Sequence, residues 1–210
     1  MNDDIYDVIF DAAAALEVPV LVVTLLALAA VVVEVGAYLV ESRRRWRRRL
    51  PDVTRAAAEA RAAIEADDRA TAGRVLEPIG WSVSMSHTLA VLAEEAGRES
   101  SEPRIAKELA DFDFGCQRRL ARTRLLVRVG PALGLMGTLI PLSPALEGLA
   151  AGDVATLTDN LRVAFSITVL GLLIGAGAFA ISLARDRIYG QDYSDLEYVA
   201  AILTDPGAAA

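Results

Sequence analysis

Two threonines, Thr138 and Thr168, sit inside long stretches of otherwise apolar sequence, and one carboxylate, Glu34, lies well inside another. A path for a small cation through hydrocarbon needs these types: hydroxyls that both donate and accept hydrogen bonds, and an acid that can carry charge. Each hydroxyl has two readings. It can bond the carbonyl one turn back and do nothing more, or it can face a polar interface and receive water or a carboxylate from a partner. Glu34 also has two. It lies five residues beyond the middle of the segment 18–40, ~7.5 Å at 1.5 Å per residue. A charge at mid-membrane costs roughly 2.5–3.5 kcal/mol on insertion scales, less when it can snorkel. Pairing with arginines at the inner side is one use for it, and ion passage is the other.

The neighbours of the threonines are small. Gly130, Gly134, Gly137, Thr138, Pro141, Ala145 and Gly148 crowd one face of a helix over 128–149. Ala164, Thr168, Gly171, Gly175, Ala178 and Ser182 follow one another at alternating spacings of four and three. Lipid tails give no hydrophobic reward for pairing helices, so close approach through small residues is what drives association. These two stripes are therefore expected to pack on each other. Pro141 and Pro144 remove backbone donors and are expected to kink the second of three spans.

The elements that must hold these residues are membrane helices. The chain has 210 residues and is 54% hydrophobic, with a mean hydropathy of +0.38. Uncharged apolar runs cover 18–33, 129–146 and 163–184, and about 20 such residues cross ~30 Å of hydrocarbon as a helix. The first run continues past Glu34 to Val40 and is expected to be retained, because its start is acidic and six arginines follow it. The expected architecture is an all-α membrane protein with three transmembrane helices. A helical cytoplasmic domain lies between the first and second, and the second and third spans extend into the cytoplasm. The boundaries read as an outer segment 1–17, spans 18–40, 128–149 and 161–184, a cytoplasmic region 41–127, an outer loop 150–160 and a cytoplasmic tail 185–210.

Orientation follows from arginines near span ends. Arg43, Arg44, Arg45, Arg47, Arg48 and Arg49 follow the first run, with Trp46 among them at headgroup level. Arg118, Arg119, Arg122, Arg124 and Arg128 precede the second, and Arg185 and Arg187 follow the third. All three groups fall on one side only if the N-terminus is extracytoplasmic and the C-terminus cytoplasmic, in the cell (inner) membrane. Within the cytoplasmic region, 52–76 is rich in Ala, Arg and Glu and is expected to be helical after Pro51 ends the preceding helix. Residues 77–80 form a turn, 81–96 a second helix, and 97–103 a loop capped by Ser100 or Ser101. Ile105, Leu109, Phe112, Cys116 and Leu120 recur at helical spacing, so this helix is expected to run unbroken into the second span. The region holds few large apolar residues and is expected to lack a robust core of its own.

One cysteine, Cys116, and one histidine, His87, allow neither an internal disulfide nor a Cys/His metal site. There is no phosphate-cradling glycine loop and no nucleophile elbow. No cofactor, no metal, no nucleic-acid partner and no enzymatic role is expected.

The segment GPALGLMGTLI at 130–140 resembles the "PxLGLxGTV" start of the second span in the MotA/TolQ/ExbB proton channel family. AFSITVLGL at 164–172 resembles that family's third span, "A-(x)-x-T-x-x-G-L". The close resemblance covers 129–185, and the order of elements is similar to the ExbB and TolQ branch. The resemblance implies a homopentamer in the lipid bilayer around two copies of a single-span partner of the ExbD, TolR or MotB kind. The partner carries the proton-binding aspartate, and Thr138 and Thr168 match the threonines of the channel subunit. Some members carry a glutamate five residues before the third-span threonine; that position here is Val163. The two prolines of the second span also depart from the enteric ExbB pattern. The expected function is a channel-forming subunit of a proton- or Na+-driven membrane motor. A non-conducting oligomeric scaffold or sensor is the alternative.

Overall fold

Helix is the only regular structure among the described residues, which in this computed structural model are 2–45, 49–98 and 101–204. Trp46, Arg47, Arg48 and Ser100, to which the sequence assigned roles, lie outside them, as do residues 205–210. The elements are α1 (Asn2–Ala15), α2 (Glu17–Arg45), α3 (Leu50–Glu65), α4 (Arg69–Leu76), a 3-10 turn (Glu77–Ile79), α5 (Val83–Glu95), α6 (Glu102–Ala150) and α7 (Val154–Thr204). Three helices are long and apolar enough to cross a membrane: Val8–Arg43, Glu102–Ala150 and Val154–Thr204. The protein is an all-α, multi-pass membrane protein.

The chain divides into two compact units. One comprises Met1–Gly36 and Ala121–Leu183, and the other Ala37–Leu120 and Ala184–Ala210. In the first, α6 and α7 form an antiparallel pair joined by a tight turn at 151–153. Gly152 takes φ +78° there, a conformation that glycine adopts without the Cβ penalty. Asp153 then caps α7, its Oδ1 accepting from the Ala155 and Thr156 amides at 3.1 Å each. The Thr156 hydroxyl, donating to Oδ2 at 2.6 Å, and then those amide bonds favour the ionised form and lower the Asp153 pKa. The cap starts α7 inside the stretch expected to be a loop. On α2, Pro19 occupies the first turn, where its missing N–H leaves nothing unpaired. Val20, Thr24, Ala27 and Val31 line the buried face of α2. Thr24 donates to the Val20 carbonyl at 2.7 Å, so its hydroxyl is satisfied within its own helix.

In the second unit, Pro51 starts a helix instead of following one, because proline suits the first turn of α3. The expected helix over 52–76 is broken at 66–68. Asp67 takes φ 59°, and Asp68 accepts from the Thr71 amide at 3.0 Å to begin α4. Ser82 caps α5 through the Met85 amide at 3.2 Å. The Ser101 carbonyl accepts from Ile105 at 2.9 Å and opens α6.

The buried cluster of this unit draws on residues from outside the region 41–127, which was expected to lack a robust core of its own. Val53, Ala57, Ala60, Leu76, Met85, Leu89 and Leu92 from α3 to α5 join Ile105, Phe112, Cys116 and Leu120 of α6 in one buried cluster. The missing bulk comes from the far end of the chain, where Tyr189, Leu196, Val199, Ile202 and Leu203 of α7 complete it.

Two predictions follow from this core. Leu196 is fully buried, and replacing a buried leucine by alanine costs about 2–5 kcal/mol. Leu196→Ala should therefore melt well below wild type in detergent, whereas Tyr198→Ala, at an exposed position, should melt close to it. Burial also pushes the Cys116 thiol up to about 11. Roughly one thiol in a thousand is then ionised at pH 8, so iodoacetamide should leave the folded protein unlabelled and modify it once unfolded.

Candidate functional site

The seam between α6 and α7 is built on backbone. A methyl group added at Gly171 would stand 2.6 Å from the Gly130 carbonyl oxygen and 2.7 Å from the Gly134 Cα. One added at Gly130 would stand 2.7 Å from the Gly175 amide nitrogen, and one at Gly175 would meet the Pro131 ring at 2.9 Å. Gly137 faces Ile167, and Gly134 faces Thr168. Toward the turn, Gly148 lies against Thr156. All five glycines named from the sequence, Gly130, Gly134, Gly137, Gly171 and Gly175, thus lie where the two helices touch. No residue with a side chain fits at the closest of these points without the helices moving apart.

Thr168 lies beside this seam, half-buried. Its hydroxyl donates to the Ala164 carbonyl one turn back at 3.0 Å, and the Gly134 carbonyl of the facing helix is 3.4 Å away. Thr138 is half-exposed at the edge of the α6 stripe and donates to the Leu135 carbonyl at 2.7 Å. In the antiparallel register set by 137 against 167 and 134 against 168, the two threonines lie within about one helical turn of each other along the bundle. Each hydroxyl has spent its one proton on a carbonyl and keeps lone pairs free to accept. What such an oxygen can receive is a hydrogen bond from water or from a protonated acid. Glu34 is half-buried and has an interaction partner of its own. Pro141 is buried and Pro144 half-buried, and α6 continues as helix through both and through Pro131.

A second polar cluster, in the other unit, escaped the sequence reading. Arg45 belongs to the basic run that was assigned to the membrane surface, yet its side chain is only 9% exposed. It pairs with Glu41 one turn earlier at 3.1 Å and with Asp192 of α7, and its guanidinium sits 5.9 Å over the Tyr189 ring. Arg185 approaches Glu41 at 3.6 Å. Asp192 and Asp195 are buried. Burial raises the Asp192 carboxyl to about 6, against the opposing pull of Arg45. The available signal was acids three apart at 192 and 195, interleaved with the apolar Tyr189, Leu196 and Val199.

Three apolar helices, two of them joined through a glycine seam flanked by hydroxyls, define a helical multi-pass membrane protein whose candidate site lies on the second and third of those helices. Residues 82–187 match the MotA/TolQ/ExbB proton channel family, and the chain belongs to that family. A stretch of 87 residues is 40% identical to the biopolymer transport protein exbB1 of Vibrio cholerae serotype O1, covering 36% of this chain and 38% of that protein.

The seam itself can be tested. Overpacking a close contact costs about 1–3 kcal/mol, so Gly171→Ala should lower the melting temperature of the purified protein. Gly36→Ala, where nothing lies within 4 Å of the added methyl, should leave it unchanged.

Proposed function

We propose that this chain is the channel-forming subunit of an ion-driven membrane motor, with protons as the driving ion. Family membership supports the class. The observation that carries the reading is Thr168, whose hydroxyl lies at the glycine seam with its proton committed to Ala164 and the Gly134 carbonyl opposite. An oxygen held in this way is an acceptor of fixed direction beside the closest helix contact in the unit. It suits a protonated carboxylic acid or an ordered water presented by another chain. Thr138, at nearly the same height, would be the second acceptor, and Glu34 the group that hands ions to or from the inner side. Pro141 and Pro144 would shape the outer part of the path.

The assembly follows from the same reading. Five copies surround two copies of a single-span partner of the ExbD, TolR or MotB kind, and that partner supplies the acid that binds the proton. The apolar faces left outward by the seam, including Leu135, Leu139, Val169 and Leu172, would meet lipid and neighbouring subunits. The N-terminus is extracytoplasmic. The spans are 18–40, 128–149 and 161–184, and residues 41–127 and 185–210 are cytoplasmic.

Thr168→Val keeps the shape and removes the hydroxyl. In vesicles holding the chain with its partner, this variant should lose most proton flux, by roughly tenfold or more, while the oligomer assembles normally. Full flux in the variant would take Thr168 out of the path. Assembly without flux in the wild type, with any partner, would favour a non-conducting scaffold. For topology, an impermeant maleimide on intact cells should label Ala151→Cys and spare Glu197→Cys. The reverse pattern would overturn the orientation.

A further inference from the structure

The ionic cluster around Asp192 is an unusual object to bury. A buried ion pair repays its desolvation only when its remaining polar atoms are satisfied. Here they are not: Asp192 is 1% exposed, and its Oδ1 has no hydrogen-bond partner among the described residues. Only one of its oxygens meets Arg45. The groups around it come from three helices. From α2 come Arg45 and Glu41. From α7 itself come Asp195, Tyr189 and Arg185. From α6 come Cys116, Arg119 and Asp113, of which Arg119 and Asp113 are solvent-exposed and therefore screened. Glu41 and Asp195 both add negative potential at Asp192. Its direct counter-charge among the described residues, Arg45, is shared with Glu41. A carboxylate with an empty oxygen, two acidic neighbours and half of an arginine is a site that holds a proton.

We infer that Asp192 is a proton-binding site outside the membrane spans, and that proton uptake there tightens the docking of the inner end of α2 onto α7. The direction follows from linkage. Undocking would return Asp192 to water, where it releases its proton near 3.8; docked, it holds the proton up to about 6. The docked arrangement binds the proton more tightly, so acid favours it. The advantage is fully present below the lower value and is lost as pH rises through the upper one. Neutral Asp192 leaves Arg45 paired with Glu41, so protonation relieves the excess negative charge without orphaning the guanidinium. The site therefore makes the hold on the first span responsive to the pH around this unit, and it does so whether or not the chain conducts ions.

Hydrogen–deuterium exchange on the full-length protein in nanodiscs tests this, with rates corrected for the intrinsic pH dependence of exchange. Protection of peptides spanning 37–45 and 184–200 should rise roughly tenfold from pH 7.5 to pH 5. Asp192→Asn, a mimic of the neutral acid, should be protected to the acid level at every pH. Glu41→Gln should move the midpoint to lower pH by removing a negative neighbour. Flat protection in the wild type overturns the inference even if Asp192→Asn fails to fold. A rise that persists in Asp192→Asn, or a midpoint unmoved in Glu41→Gln, overturns the assignment to Asp192.

Discussion

The membrane unit depends on how closely two backbones approach. Where Gly171 faces the Gly130 carbonyl and the Gly134 Cα, a single added methyl would fall inside van der Waals contact. In lipid there is no hydrophobic gain from pairing two apolar helices, so the gain must come from packing density and from contacts between polar backbone groups. Glycine supplies both by removing the side chain. The same approach brings the Gly134 carbonyl to 3.4 Å from the Thr168 hydroxyl. The closeness that holds the helices together is thus also what gives the hydroxyl a fixed setting, with a committed donor and a free acceptor.

The second unit solves a different problem. Its first three helices carry many alanines and few large side chains, and they could not bury enough apolar surface by themselves. The last turns of α7 supply Leu196, Val199, Ile202 and Leu203. Residues 189–203 are therefore a structural part of this unit. The same stretch of α7 carries Asp192 and Asp195 into the interior. Stability and the buried charge cluster are thus linked: the helix that fills the core also brings the acids that engage Arg45.

Much of this was legible in the sequence, because the signals were local. The glycine and threonine spacings of α6 and α7 follow from the geometry of a single helix, and two such stripes have few places to go except onto each other. The unbroken course of α6 from Glu102 into the apolar run could also be read from periodicity. What could not be read was non-local. Arg45 and Asp192 are 147 residues apart, and nothing in a run of arginines marks the one whose side chain is buried. The completion of the second unit's core by residues 189–203 was hidden for the same reason. The helix break at 66–68 turns on Asp67 adopting a positive φ, which its residue type permits but does not require.

The acceptor geometry at Thr168 and the proposed ion path both require α6 and α7 to meet through bare backbone in a bilayer. Solid-state NMR of the protein in lipid vesicles, with carbon-13 placed in glycine, reads that contact directly. A through-space correlation between the Gly134 and Gly171 Cα atoms is the expected result. If both helices are intact and that correlation is absent while either glycine Cα correlates with lipid acyl chains, the seam does not exist in the membrane and the account built on it is contradicted.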